Sequence, residues 1–191
     1  MQLILASASP RRRQLLEEAG YEFVVHPADI DETVTPGVYP PEFAQKLASA
    51  KAEAVAKQFP EDVVLAADTI VTFGDHILGK PANAEEARRM LAFLSRTTHI
   101  VITGVCVIRK SGDMVQATRV LSGVRMANLT PEQINAYVAS GDWQGKAGGY
   151  GIQDNDPLVT RTSGSHTNIV GLPIEIVRRL LGAAGIYPIK K

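Results

Sequence analysis

The chain has 191 residues, 45% of them hydrophobic, which suits a single domain spanning residues 1–191 with a substantial core. Its 20 basic and 20 acidic residues cancel, which argues against a nucleic-acid partner bound through bulk charge. No apolar segment is long enough to span a bilayer, which argues against a membrane protein. Cys106 is the single cysteine, so no intramolecular disulfide can form.

In chain order, apolar runs alternate with helix-start signals, and this alternation predicts an α/β fold. Two long runs around the turn at residues 110–113 form a hairpin, which makes the sheet mixed and not purely parallel. Strands are predicted at 2–6, 21–26, 63–71, 77–78, 98–109, 114–126 and 158–162, and helices at 10–20, 40–59, 83–95, 130–141 and 173–181.

Three consecutive arginines stand at the start of the first predicted helix. Positive charge opposes the helix dipole there, and such a local conflict indicates a functional site. Helical spacing places Arg12 over the buried face, pairs Arg13 with Glu17 at the surface and leaves Arg11 between them. The helix start also offers free N–H groups to an anion. Arg11 and Arg12 are therefore candidate phosphate ligands, with a solvated basic surface as the alternative.

An aspartate interrupts the most apolar strand of the chain, residues 63–71. Aspartate is rarely buried without a partner, so Asp68 either caps a turn or stands where the strand reaches a cleft. In open α/β sheets, ligands bind at the carboxyl ends of strands, and we expect the strand to surface or end at Asp68. Thr69 points to the opposite face of a regular strand, so it shares a ligand with Asp68 only if the strand ends there.

Two lysines are placed where a phosphate could use them. Lys51 falls in the apolar stripe of the second helix, so it either extends to water or reaches a cleft as a phosphate contact. Lys80 ends a run that fits seven positions of the phosphate-binding loop pattern, but Pro81 replaces the hydroxyl residue that would hold Mg²⁺. We therefore reject that loop and keep Lys80 as a separate phosphate contact near Asp68.

An acidic loop and a glycine-rich segment complete the set of candidate features. The loop holds Asp29, Asp31 and Glu32, which are either a solvated turn or oxygen ligands for a hard cation such as Mg²⁺. Residues 145–151 contain four glycines, which allow close backbone approach to a ligand or simply a flexible loop. Together these features suit metal-assisted hydrolysis of a phosphoanhydride, with Asp68 orienting or deprotonating water.

Five motifs resemble those of the Maf family of nucleoside triphosphate pyrophosphatases, in the same order and over nearly the whole chain. The resemblance implies hydrolysis of a nucleotide to its monophosphate and pyrophosphate with Mg²⁺ or Mn²⁺. It also implies a mixed, elongated, twisted sheet flanked by helices, in two lobes around a central cleft. The motifs are residues 5–12 (LASASPRR), 67–69 (ADT), 79–81 (GKP), 146–153 (KAGGYGIQ) and 171–173 (GLP).

The resemblance also implies a cytoplasmic house-cleaning role and, in some members, a link to septum inhibition. ADT and YGIQ resemble the branch that acts on dTTP and UTP, whereas the branch that acts on methylated GTP typically has SDQ at the first of these places. Residues 142–145 depart from the family pattern, where a proline and an acidic residue are more usual.

The resemblance assigns roles to single positions. Asp68 matches the catalytic proton acceptor, and we choose Glu32 and Asp68 as the metal ligands. Arg11, Thr69 and Gln153 match positions tied to substrate choice, and Arg12, Glu32, Lys51 and Lys80 match other polar residues of the site. We predict the substrate-binding residues to be Ser7, Arg11, Arg12, Lys51, Thr69, Lys80 and Gln153.

Two other classes remain open. A haloacid-dehalogenase phosphatase would need a D-x-D motif, and Ile70 stands where the second aspartate belongs. A non-catalytic nucleotide-binding regulator of cell division fits the same binding residues. The expected partner is a nucleoside triphosphate, with no nucleic acid and no membrane, and a homodimer stays open.

Overall fold

The computed structural model describes residues 1–33, 38–152 and 158–189. Within this part of the chain the mixed α/β architecture is confirmed, and no helix is long and apolar enough to cross a membrane. The strands are β1 (Leu3–Leu5), β2 (Val24–Val25), β3 (Val63–Phe73), β4 (His76–Leu78), β5 (Thr98–Arg109), β6 (Met114–Met126) and β7 (Val159–Ser163). The helices are α1 (Pro10–Glu18), α2 (Pro40–Ala56), α3 (Ala84–Leu94), α4 (Pro131–Ser140), α5 (His166–Val170) and α6 (Ile174–Ala183).

The helices begin where the sequence supplies capping groups. The Ser9 side chain accepts the backbone N–H of Arg12 and starts α1, with Pro10 in the first helical turn. Thr130 and Gln133 form a reciprocal capping box at the start of α4. Helix α5, which the sequence analysis missed, has only five residues, and such a short helix carries almost no periodic signal.

The strands form one seven-stranded sheet in the order β2-β1-β3-β5-β6-β7, with β4 added beside β3. β1 pairs in parallel with both β2 and β3, whereas β3, β5, β6 and β7 pair antiparallel. The sheet thus has a short parallel part, β2-β1-β3, whose strands are joined by segments that contain helices, and an antiparallel part that includes the long hairpin of β5 and β6. A tight hairpin can join only antiparallel strands, whereas parallel strands need a longer crossover connection.

Each face of the sheet carries two hydrophobic clusters, one toward each end of β3. On one face, called the α2 face, helix α2 packs on Val64 and Ala66 at one end and on Ile70 at the other. On the opposite face, called the α5 face, Leu65 and Val71 belong to two separate clusters in the same way. Polar residues of β3 fill the gap between the clusters on both faces.

One edge of β3 has no paired strand over its central residues in the described part of the chain. β1 pairs with Val63–Leu65, and β4 pairs with Val71–Phe73 on the same edge. Within the described residues, no strand pairs with residues 66–70 along this edge, while β5 pairs continuously along the other. The chain leaves β1 and enters α1 at this opening, so the start of α1 lies beside it.

The prediction that the strand ends or surfaces at Asp68 is wrong. β3 continues to Phe73, and Asp68 is 5% exposed at its centre, paired with Gly104 of β5. The element that ends is the neighbouring strand β1. Single-strand patterns report burial but not where a neighbour stops, because strand pairing depends on residues distant in sequence.

Candidate active site

A cavity of about 360 Å³ opens at this unpaired edge of β3. It takes residues from the turn after β1, from α1, α2 and β3, and from the glycine-rich segment after α4. Its walls contain more cationic groups than acidic ones, which favours an anionic ligand. The charged and polar residues in its wall include Ser7, Ser9, Arg11, Arg12, Glu32, Lys51, Thr69, Lys80, Gln144 and Lys146.

The α2 face contributes a cluster of charged groups centred on Lys51. Its Nζ atom lies 2.5 Å from Asp68 Oδ1 and 2.6 Å from Glu32 Oε1, and Lys80 Nζ lies 3.6 Å from Glu32 Oε2. Lys51 and Asp68 are both about 6% exposed, so two carboxylates compensate the buried ammonium group. Lys80 is connected to Asp68 indirectly, through Glu32 and Lys51.

Glu32 is the acidic residue of this cluster that lines the cavity directly, and Asp68 lies behind Lys51. Partial burial acts to raise the pKa of Glu32, but the hydrogen bond and charge of Lys51, with Lys80 and Arg12, outweigh it and lower the pKa. Glu32 is therefore ionised at neutral pH, and its charge holds both lysines at the cavity wall.

Helix α2 reaches Asp68 because β5 has a glycine opposite it. A Cβ atom at Gly104 would overlap the backbone carbonyl of Ala44 in α2. Lys51 follows Ala44 by seven residues, which is two helical turns, so both lie on the same helix face. The close approach of helix and strand therefore brings the Lys51 side chain onto the carboxylate of Asp68.

The α5 face contributes the guanidinium group of Arg12, which is buried as its position in the helical stripe predicted. Its Nε donates to the Gly171 carbonyl at 2.9 Å, and its two terminal nitrogens donate to Ser7 Oγ and Thr69 Oγ1, each at 3.1 Å. Burial lowers the pKa of Arg12, which Asp68 opposes and Arg11 assists. Three fixed acceptors thus orient the planar group beside the cavity.

Thr69 lines the cavity from the α5 face although it points away from Asp68. The strand does not end at Asp68, and of the two residues Thr69 lines the cavity directly, whereas Asp68 lies behind Lys51. The open edge of β3 exposes Thr69 and Val71 to the cavity from the side, whereas the α2 face reaches the cavity through Lys51 and Glu32. Gly171, at φ +119°, lets the turn after α5 pass close to Thr69, where a Cβ would lie 3.3 Å from its hydroxyl.

Arg11 reaches across the cavity to the glycine-rich segment. One of its terminal nitrogens donates to the Gly145 carbonyl at 2.8 Å. Burial lowers the pKa of Arg11, while Tyr137 acts in the opposite direction. This contact joins α1 on one side of the cavity to the loop after α4 on the other. Arg13, in contrast, pairs with Glu17 at 2.8 Å on the exposed side of α1, as its helical spacing predicted.

The part of the wall around Tyr150 is mostly apolar, apart from Lys146, and is supported by a buried Tyr–His pair. Thr97 Oγ1 donates to the Leu94 carbonyl at 2.7 Å and so accepts from His99 Nδ1 at 3.2 Å. This assigns the Nδ1–H tautomer and leaves Nε2 to accept the Tyr150 hydroxyl at 2.6 Å. Tyr150 therefore presents its ring to the cavity, beside apolar lining residues that include Val71, Val101, Ala147, Ile152, Ile169 and Val170.

The structure brings together all but one of the predicted site residues. Ser7, Arg11, Arg12, Glu32, Lys51, Thr69 and Lys80 line the cavity, and Asp68 contacts it through Lys51. Gln153 lies outside the described residues.

The wall also contains polar residues that were not predicted as site residues, namely Ser9, Gln144, Lys146 and Tyr150. Lys146 precedes the glycine-rich run, and its charge beside such a run was an available signal. The Tyr150–His99 pair had no such signal, because its two members are 51 residues apart in sequence.

Comparison with known proteins shows the family to which the chain belongs. A family model described as Maf-like protein matches residues 2–184. Proteins named dTTP/UTP pyrophosphatase are similar at 50% identity in Cereibacter sphaeroides (97% of this chain and 96% of that protein), 44% in Pyrococcus furiosus (94% and 93%) and 45% in Moorella thermoacetica (96% and 95%). The solved Staphylococcus aureus Ham1 protein shares the fold, with a TM-score of 0.57 and 12% identity over 96% of this chain and 100% of that one.

Proposed function

The chain belongs to the Maf family, and from this membership we infer that it is a nucleoside triphosphate pyrophosphatase that acts on dTTP and UTP. The reaction cleaves the bond between the α- and β-phosphates and releases the monophosphate and pyrophosphate. Relatives that carry this activity in their names align along nearly their whole length, which supports the transfer of function to this chain.

The observation that carries this proposal is the division of the cavity wall into a cationic part and a mostly apolar part. A nucleoside triphosphate has the same division, with up to four negative charges at one end and a flat base at the other. Lys51, Lys80 and Arg12 suit the polyphosphate, whereas the Tyr150 ring and its apolar neighbours suit the nucleoside. A volume of about 360 Å³ is in the range typical of small-molecule sites.

We assign Asp68 as the general base. Its Oδ1 atom is held by Lys51, so we assign Oδ2 as the atom that takes the proton from the attacking water. The water oxygen attacks the α-phosphorus, and the electron pair of the broken P–O bond leaves with pyrophosphate. Lys51, Lys80 and Arg12 stabilise the negative charge that develops on the leaving group.

The donor set fits a divalent cation that arrives bound to the substrate phosphates. Glu32 and Asp68 both have oxygens within 2.6 Å of the Lys51 Nζ atom, so the two carboxylates converge on that ammonium group and would meet a cation through their second oxygens. Among the described residues, His, Cys, Asp and Glu form no group of three that could hold an ion alone. Mg²⁺ typically uses one or two carboxylates together with phosphate oxygens, so Glu32 and Asp68 would hold it. When bound, it would neutralise phosphate charge.

For the base, we propose that Gln153 and Thr69 contribute to recognition. The Gln153 amide offers both a donor and an acceptor, which complements the carbonyl and adjacent ring N–H of uracil and thymine. Arg11 lies where α1 meets the loop that leads to Gln153, which supports its assignment to substrate choice. We further propose that residues 1–191 form one cytoplasmic domain whose two lobes meet at the cavity.

A nucleotide panel tests the activity. We expect pyrophosphate release from dTTP and UTP at a higher kcat/KM than from CTP, GTP or 7-methyl-GTP, and chelator should stop the reaction until Mg²⁺ or Mn²⁺ is added. Release of orthophosphate would identify a phosphatase instead. Binding without either product would identify a regulator, and full activity in excess chelator would contradict the metal assignment.

Lysine variants test the orientation of the substrate. Lys51→Met and Lys80→Met should weaken triphosphate binding far more than monophosphate binding, because the β- and γ-phosphates lose their cations. Lys110→Met is the matched control, since Lys110 pairs with Glu53 and does not line the cavity. Equal losses for both ligands would show that the two lysines are structural.

A further inference from the structure

A chain of hydrogen bonds runs inward from the cavity wall across the α5 face. Arg12 donates to Thr69 Oγ1 at 3.1 Å, and Thr69 Oγ1 lies 3.0 Å from Thr103 Oγ1 on the paired strand β5. Thr103 Oγ1 in turn donates to the backbone carbonyl of Asn168 in α5 at 3.0 Å. Thr103 is fully buried and does not line the cavity.

The direction of the middle bond follows from its two ends. The Asn168 carbonyl has no hydrogen, so the one hydroxyl hydrogen of Thr103 must lie between these two oxygens. Reversing the bond would leave Thr103 Oγ1 and the carbonyl oxygen 3.0 Å apart with no hydrogen between them. Thr103 therefore accepts, and Thr69 donates its only hydroxyl hydrogen to it.

These bonds fix the hydrogen-bonding role of the Thr69 hydroxyl. Its hydrogen points to Thr103, and one of its two lone pairs accepts from Arg12. One lone pair remains, so Thr69 can offer the cavity an acceptor but not a donor. Thr69 also contacts the cationic Arg12 and precedes the apolar Val71 on the same face of β3, so it adjoins both the cationic and the apolar parts of the wall.

We propose that Thr103 is a positioning residue for substrate selection. By accepting the hydroxyl hydrogen of Thr69, it leaves Thr69 only as a hydrogen-bond acceptor toward the cavity, so the site favours a ligand that presents an N–H or O–H donor to Thr69. The inference rests on the proposed function and refines it. Uracil and thymine carry a ring N–H where cytosine carries an unprotonated ring nitrogen, and a sugar hydroxyl is the other donor that a nucleotide can present to Thr69.

The test compares ratios of kcat/KM between substrates, because a merely structural change would lower kcat/KM for all substrates by the same factor. Thr103→Val keeps the shape of the side chain and removes the acceptor, so the Thr69 hydrogen is free to turn to the ligand. If the donor is the base, the UTP to CTP ratio should fall about 3- to 10-fold, the range of one neutral hydrogen bond. If the donor is a sugar hydroxyl, the ratio of UTP to 2′,3′-dideoxy-UTP should fall by a similar factor instead.

Further variants separate positioning from folding. Thr103→Ser should keep the wild-type ratios, and Thr103→Ala should repeat the Thr103→Val result if the valine variant folds poorly. Adding Thr103→Val to Thr69→Val should change neither ratio further, because Thr103 acts through Thr69. Ser122→Ala disturbs the same buried region through Asn168 but leaves the Thr69–Thr103 bond, and should keep both ratios.

Unchanged ratios in both Thr103→Val and Thr103→Ala would overturn this inference alone, provided that the wild type hydrolyses UTP to UMP and pyrophosphate. Equal wild-type kcat/KM values for UTP, CTP and the dideoxy analogue would overturn it together with the proposed preference for UTP over CTP, while leaving the pyrophosphatase activity itself in place. A wild type that releases no pyrophosphate from dTTP or UTP would overturn the proposed function together with it.

Discussion

The two faces of β3 meet at one cavity but hold their polar residues by different means. On the α2 face, Asp68 and Lys51 form a buried ion pair, and Glu32 adds a second carboxylate. On the α5 face, Thr69 and Thr103 belong to a one-way chain of hydrogen bonds between largely neutral groups. Both sets stand at the same level of the sheet, between the hydrophobic clusters of their own face.

The difference separates two demands of phosphoanhydride hydrolysis. Mobile charge and proton transfer need ionised groups near the phosphates, which the α2 face supplies. Recognition needs donors and acceptors of fixed direction, which the α5 face supplies, because a buried hydroxyl with committed partners cannot reorient. We therefore expect substitutions on the α2 face to lower turnover, and substitutions on the α5 face to lower stability or selectivity.

The largest expected effect belongs to Asp68→Asn on the α2 face. Removing a general base typically costs on the order of 10²–10⁴ in rate, and the isosteric amide leaves Glu32 to compensate Lys51. We expect kcat for dTTP to fall by this factor while the urea unfolding midpoint stays close to the wild-type value. A variant that turns over at the wild-type rate would remove Asp68 from the mechanism.

Acid should disrupt the α5 face through His99. Burial lowers the pKa of His99 to about 4 from an ordinary 6.5, so the unfolded chain binds a proton that the folded chain rejects. The associated stability is complete above pH 6.5 and is lost as pH falls through that value toward 4. We expect a loss of roughly 3 kcal/mol in the free energy of unfolding.

The measurement is urea unfolding at several pH values between about 7 and 4, for the wild type and His99→Gln. The variant lacks this titration, so the difference between the two proteins should shrink as pH falls. A constant difference across the range would show that His99 titrates alike in the folded and unfolded states.

Gly104→Ala, on the α2 face, should lower both the free energy of unfolding and kcat. The added methyl group meets the backbone carbonyl of Ala44, which cannot move without displacing α2. We expect a loss of about 1–3 kcal/mol in unfolding free energy and a lower kcat, because Lys51 moves away from Asp68. Gly182→Ala in α6 is the control: its nearest new contact is the Tyr187 ring at 3.8 Å, and alanine there should stabilise the helix. Similar unfolding curves for both variants would contradict the close approach of α2.

The smallest effect is expected for Ser122→Ala on the α5 face. Ser122 Oγ donates to the Ser165 carbonyl at 3.0 Å and accepts from Asn168 Nδ2 at 2.9 Å. Removing it should cost about 1–2 kcal/mol of stability, because these buried groups lose a partner. Thermal unfolding and dTTP kinetics measured together should show a lower midpoint with kcat nearly unchanged. A large fall in kcat would mean that the α5 face takes part in the chemistry itself.

The sequence by itself determined the elements and the local orientation of several site residues. Helical spacing separated the buried Arg12 from the exposed Arg13 and put Lys51 in the apolar stripe of α2, because periodicity fixes which face a side chain occupies. The isolation of Asp68 in an apolar strand singled it out, because a buried carboxylate needs a partner. The family resemblance came from short motifs that the chain keeps in order.

Only the tertiary structure decided how these residues meet. Asp68 and Thr69 point to opposite faces, and both are connected to one cavity, Thr69 directly and Asp68 through Lys51, because β1 and β4 cover different stretches of the same β3 edge. The partners that fix their chemistry, such as Glu32 for Lys51 and Thr103 for Thr69, come from other parts of the chain. Periodicity is a local property, whereas strand offset and helix packing depend on contacts between distant segments, which no single window of sequence contains.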